Sequence, residues 1–139
     1  MVCEIWRDKT GHIGQWVCQN LGFDISELGD HLTYGFSDGE KMLGGLIFHD
    51  ARPHQHIWWT IYAPDKHWCT KRVLKHMFGL AFKELQCRRI NILVSAGNVD
   101  SLKFVQKLGF KQEGLLRKYR DNGEDCYFLG MLKEECPWL

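Results

Sequence analysis

The segment from His56 to Val94 constrains the fold more than any other part of this chain. His56-Ile57-Trp58-Trp59-Thr60-Ile61-Tyr62 is rich in β-branched and aromatic side chains and stops at Ala63-Pro64, so it predicts a central strand. From Thr70 to Leu85, the residues Leu74, Met77, Phe78, Ala81, Phe82 and Leu85 recur at intervals of three and four. Lys71, Arg72, Lys75, Lys83 and Glu84 fill the rest of the wheel, as in a helix with one buried face. Arg89-Ile90-Asn91-Ile92-Leu93-Val94 then reads as a second strand. Strand, helix, strand in this order brings two strands together in parallel, because such a crossover returns the chain to the same end of the sheet.

Helical spacing also joins Ile13, Trp16, Val17 and Leu21, predicting a first helix from Thr10 as cap to about Leu21, stopped by Gly22. Leu32 to Ser37 and Met42 to Phe48 read as strands, linked by Asp38-Gly39-Glu40, whose Asp-Gly pair marks a tight hairpin. Asn98 is placed to cap a helix that runs to Leu108 and ends at Gly109. A last hairpin follows: Phe110 to Arg120, an Asn122-Gly123 turn, and Cys126 to Leu132. Before Thr10 only Val2 to Trp6 is available, and a stub or disorder is expected there. The order α, β, β, β, α, β, α, β, β predicts an α/β fold of the mixed α+β kind, with a central mixed sheet and helices on both faces.

No repeat or linker interrupts this pattern, so residues 1–139 are expected to form one domain. Eighteen Lys and Arg against 17 Asp and Glu leave no overall field for nucleic acid or an anionic membrane. The longest uncharged apolar run, Met42 to Phe48, falls far short of the ~20 residues of a membrane helix, and the start is charged early and lacks a long apolar stretch, so no signal peptide is expected. A cytoplasmic location is expected. Cys3, Cys18, Cys69, Cys87, Cys126 and Cys136 are widely spaced with no Cys-x-x-Cys pair, so they are expected to be reduced thiols.

Asn98-x-x-Ser101, Lys107-Leu108-Gly109-Phe110, Glu113-Gly114-x-x-Arg117 and a last strand carrying Tyr127 and Gly130-Met131 make a spaced set. It resembles the C-terminal half of the GCN5-related N-acetyltransferase (GNAT) superfamily, within it the branch acetylating ribosomal-protein N-termini and small bacteriophage-encoded relatives. The resemblance implies a sheet splayed between its two parallel strands, with acetyl-coenzyme A (acetyl-CoA) held in the splay. On this chain that places Ile61, Tyr62 and Ala63 on the strand, His67, Trp68, Cys69, Thr70, Lys71 and Arg72 entering the next helix, and Asn98, Ser101 and Phe104 beyond it. A homodimer through the C-terminal strands and, for a phage-encoded chain, a host cytoplasmic location are implied in the same way.

Family members carry a glycine-rich loop where the pyrophosphate meets the helix N-terminus. Here the stretch is His67-Trp68-Cys69-Thr70-Lys71-Arg72, without glycine. Either Thr70 caps the helix while Lys71 and Arg72, with Lys66 nearby, bind phosphate through charge, or the cradle is lost and the fold serves another donor or none. The position of the tyrosine that protonates the leaving thiolate in many relatives is Val105, seven residues after Asn98.

Among candidate catalytic groups, Asn98 could order cofactor or water beyond its capping role, and His56 is the one titratable side chain near neutrality on its strand. His49, His54, His56 and Asp50 cluster in sequence, but around a turn at Arg52-Pro53, and no metal is expected. Trp58, Trp59 and Trp68 could stack on a base or fill the core. The expected function is acyl transfer from acetyl-CoA to a primary amine of a protein, peptide or small molecule. The alternatives are transfer to a nucleobase amine and a non-catalytic binding or structural module.

Overall fold

The computed structural model describes residues 3–139. The elements are β1 (Glu4–Arg7), α1 (His12–Leu21), β2 (His31–Ser37), β3 (Met42–Arg52), β4 (His56–Tyr62), α2 (Lys71–Gly79), β5 (Arg89–Ser95), α3 (Val99–Leu108), β6 (Lys111–Leu116) and β7 (Cys126–Leu132). The seven strands form one open sheet in the order β1-β2-β3-β4-β5-β7-β6, parallel at β4 and β5 and antiparallel at every other pairing. This is the mixed α+β sheet that the element order predicts.

Alternation along β4 decides what each face of the sheet meets. Ile57, Trp59 and Ile61 are buried in the main core, where the Trp59 ring lies 4.7 Å from Phe78 of α2 and 6.1 Å from Phe110. Trp58, Thr60 and Tyr62 are half-buried on the opposite face, where Tyr62 meets Trp16 of α1 edge to face at 5.1 Å. There α1 lies so close to the sheet that a Cβ on Gly45 would fall 2.4 Å from Val17 Cγ2. Any larger residue at that position would push α1 away.

The N-terminus differs from expectation. Glu4–Arg7 is an edge strand with Glu4 opposite Ser37 and Arg7 opposite Tyr34, where the sequence predicts a stub or disorder. Val2 lies outside the described residues. The pairing depends on the free edge of β2, which local composition cannot reveal. The cap of α1 is also different: Asp8 Oδ1 accepts from the N–H groups of Thr10 at 3.2 Å and Gly11 at 3.0 Å, and Oδ2 from Gly14 at 3.0 Å. Gly11 turns left-handed, with φ 86°, at the helix start. Burial raises the Asp8 pKa, but the N–H donors of Gly14, Gly11 and Thr10 outweigh it and hold the carboxyl below its ordinary value.

β3 runs four residues further than predicted, to Arg52, and β6 stops at Leu116 instead of Arg120. Residues 117–125 form a broad loop in place of a tight turn, with Lys118 at φ 53° and Gly123 at φ 81°. The helix beginning at α2 passes through one wide turn over Leu80–Glu84, so its apolar face reaches Leu85 as the spacing predicts. All six cysteines are free thiols. No helix among the described residues is long and apolar enough to cross a membrane.

Candidate active site

Parallel pairing stops partway along the two central strands. β4 and β5 are in register from His56 opposite Arg89 to Trp59 opposite Ile92, and no rung joins Thr60–Tyr62 to Leu93–Ser95. Each strand stays with its outer neighbour: β3 holds β4 as far as Tyr62, opposite Gly45, and β7 holds β5 as far as Ser95, opposite Cys126. The strands therefore diverge at their carboxyl ends, leaving backbone polar groups on the inner edge of β4 without ladder partners.

A cavity of about 620 Å³ opens at this fork. Trp58, Thr60 and Ile61 of β4 and Leu93, Val94 and Ser95 of β5 form one side. The end of α1 and the segment after it add Leu21, Phe23, Glu27 and Leu28, the start of α3 adds Asn98 and Ser101, and the β6–β7 loop adds Tyr119, Arg120 and Glu124. Arg120 lies 5.7 Å over the Phe23 ring and donates to Ser95 Oγ at 3.0 Å, so it ties the loop to β5. Three carboxylates, of Glu27, Asp50 and Glu124, line the cavity with that one guanidinium. Such a lining favours a cation.

His49 and Asp50 reach the same cavity from β3. Successive strand residues normally point to opposite faces. Asp50 escapes that rule by adopting a left-handed φ of 50° in the irregular stretch between His49 and Arg52, which lets its carboxylate turn back to its neighbour. His49 Nδ1 lies 2.7 Å from Asp50 Oδ2 and Nε2 lies 2.8 Å from Thr60 Oγ1. The imidazole is buried, and desolvation lowers its pKa against the opposing pull of Asp50. Sequence reading weighs His49 and Asp50 only as metal ligands. The left-handed Asp50 that joins them into a chain with Thr60 is not visible in composition or period.

Of the residues that the resemblance places at the cofactor, Ile61, Asn98 and Ser101 line the cavity, joined by Trp58 and Trp59. Asn98 caps α3 by accepting from the Ser101 N–H at 3.2 Å. His56 does not reach the fork. It sits at the first rung of the parallel ladder, with Nδ1 3.0 Å from Asn91 Nδ2, in a chain that continues through Arg89 to Glu113. At ~3.3 Å per strand residue this is roughly 13 Å from Thr60. His49, His54 and His56 are not brought together, and no group of three or more His, Cys, Asp or Glu side chains among the described residues is close enough to hold a metal ion.

The segment entering α2 divides in two. Trp68 is buried, stacked on Phe36 and edge-on to Phe104 at 5.8 Å, with Lys66 over the Phe104 ring at 5.2 Å. Ala63 and Cys69 pack against the same core, and Tyr62 faces α1. The exposed His67 is held by Asp65. Thr70 caps α2 by accepting from the Val73 N–H at 3.3 Å. The Arg72 guanidinium donates to the Cys3 carbonyl. Among the described residues, the N–H groups of Lys71 and Arg72 and the buried indole nitrogens of Trp59 and Trp68 have no protein partner. The phosphates of acetyl-CoA offer acceptors for the two free N–H groups at the start of α2, so that turn fits them, whereas the two indole nitrogens are sealed inside the packed core.

No protein-family model and no curated protein sequence matches the chain. Solved structures do match in fold. A variant of the spermidine/spermine N-acetyltransferase SpeG from Vibrio cholerae superposes with a TM-score of 0.71 at 12% identity, covering 96% of each chain. SpeG with manganese ions gives 0.70 at 14% identity over 94% of this chain and 92% of that one. Another SpeG variant from the same organism gives 0.73 at 13% identity over 95% and 94%. At these identities the likeness establishes a shared fold.

Proposed function

We propose that the chain is an acyl-CoA dependent N-acyltransferase acting on a primary amine, with acetyl-CoA as donor. The observation that carries this reading is the open ladder beyond Trp59 and Ile92, continuous with a carboxylate-lined cavity. The unpaired inner edge of β4 at Thr60 to Tyr62 supplies donors for the thioester carbonyl, whose oxygen gains charge as the amine adds. Lys71 and the two free N–H groups of the first turn of α2 are suited to the pyrophosphate, because a helix N-terminus presents unpaired donors and positive potential. Glu27, Asp50 and Glu124 would draw an ammonium group to the opposite side of the fork. Holding amine and thioester in line accounts for about 7–11 kcal/mol of the barrier. Thiolate departure proceeds without a phenol at the Val105 position.

The non-catalytic reading keeps one specific support, because Trp68 and Phe104 fill space between the start of α2 and α3. Two measurements separate the readings. Acetyl-CoA at 100 times its dissociation constant should raise stability by about 2.7 kcal/mol, seen as a higher melting temperature. A panel of amines, starting with spermidine and spermine because SpeG shares the fold, should yield acetylated product by mass spectrometry. Thiol reagents are unsuitable because Cys69 and Cys136 are partly exposed free thiols that would add to the signal. Absence of both effects would leave the binding-module reading standing.

A further inference from the structure

We propose that Asp50, His49 and Thr60 form a proton relay serving the acceptor amine, in which Thr60 Oγ1 takes the amine proton and passes its own to His49 Nε2. This rests on the acyl-transfer reading above. The distances are those of working hydrogen bonds, 2.7 Å from His49 Nδ1 to Asp50 and 2.8 Å from Nε2 to Thr60. An ionised carboxylate can only accept, so Asp50 selects the Nδ1–H tautomer and leaves Nε2 free to receive a proton from the Thr60 hydroxyl.

Two features indicate more than a structural bond. Asp50 adopts a left-handed backbone, unusual for a residue other than glycine, and only thereby reaches the face on which His49 lies. Thr60 is the first residue of β4 past the last parallel rung, so its hydroxyl stands at the fork where amine and thioester must meet. The ammonium form of the acceptor gives one proton to the relay; the neutral amine then adds to the thioester carbonyl, the C–S bond breaks as the C–N bond forms, and the second N–H proton of the amine goes to the departing thiolate. The proton held by His49 returns to solvent past the half-exposed Asp50.

The groups facing His49 are Asp50 on its own strand, His31 opposite it on β2 and Glu27 across the cavity, while β4 presents the uncharged Trp58 and Thr60. Burial dominates this balance and keeps the imidazole neutral, the form a base requires.

The test measures kcat and KM against pH with acetyl-CoA and an accepted amine for the unaltered chain, His49→Gln, Thr60→Val and Thr60→Ser. At neutral pH, His49→Gln and Thr60→Val should each lose about 10²–10⁴ in kcat with the KM for acetyl-CoA unchanged, and Thr60→Ser should restore the rate. The deficit should narrow as pH rises and the amine deprotonates unaided. If His49→Gln does not fold, Asp50→Asn gives the same readout, since an amide can hold the wrong tautomer. Turnover by a folded His49→Gln within a few-fold of the original, with the acyl-transfer activity intact, overturns the relay alone. An acetyl group found covalently on Thr60 by intact mass overturns it too, by making Thr60 a nucleophile. Failure of the unaltered chain to turn over any amine overturns the function and the relay together.

Discussion

Trp68 lies flat on Phe36, with ring centroids 4.5 Å apart and planes within 9° of parallel, so a residue placed by motif at the donor's phosphate is a core residue by packing. Trp68→Ala should cost about 3–5 kcal/mol in urea unfolding, the range for removing a large buried aromatic. Trp68→Phe should cost much less, because it keeps most of the stack and deletes an indole N–H that is buried without a partner. Equal losses in the two variants would show that the indole nitrogen is satisfied.

Lys71 and Arg72, adjacent in sequence, should separate in function. Arg72 is committed to the Cys3 carbonyl, whereas Lys71 is exposed at the start of α2. Lys71→Ala should weaken acetyl-CoA binding by about 1–3 kcal/mol in titration calorimetry, and the effect should shrink in high salt. Arg72→Ala should instead speed hydrogen exchange of the β1–β2 amides. Unchanged affinity for Lys71→Ala would make it a solvated surface charge.

Asp8 gives the fold an acid-sensitive element. Its folded-state pKa lies below the unfolded value, so its contribution is fully present above about pH 4 and is lost as pH falls through the folded value. Asp8→Ala should cost about 0.5–2 kcal/mol near neutrality, as for loss of a helix cap. The difference between the two unfolding curves should close as the pH falls through that acid range. A gap that persists into strong acid would mean that the cost arises from packing.

Val105 is fully buried in the main core. A tyrosine at this position would either bring a phenol to the departing sulfur or overpack the helix, and full burial selects the second. The variant should lose about 1–3 kcal/mol of stability without a gain in rate. A faster enzyme with an unchanged melting temperature would contradict this.

Elements specified by local signals are legible in the amino-acid sequence by itself. β-branched density and a closing proline set His56–Tyr62, three-and-four spacing set the face from Leu74 to Leu85, and a capping Asn with a terminal Gly set Val99–Leu108. Their order required a parallel pair, and each of these cues acts over a few residues of chain. Tertiary structure decided the rest, because it depends on groups far apart in sequence or on one backbone angle. Arg72 reaches Cys3 across 69 positions, β1 exists because β2 has a free edge, and the β6–β7 loop carries Arg120 to Ser95. His56 and His49 show the difference most clearly. Both are strand histidines by composition, yet register sends His56 to the closed end of the ladder, while His49, opposite Trp58 on β3, reaches its diagonal neighbour Thr60 at the open one and is met there by the left-handed Asp50.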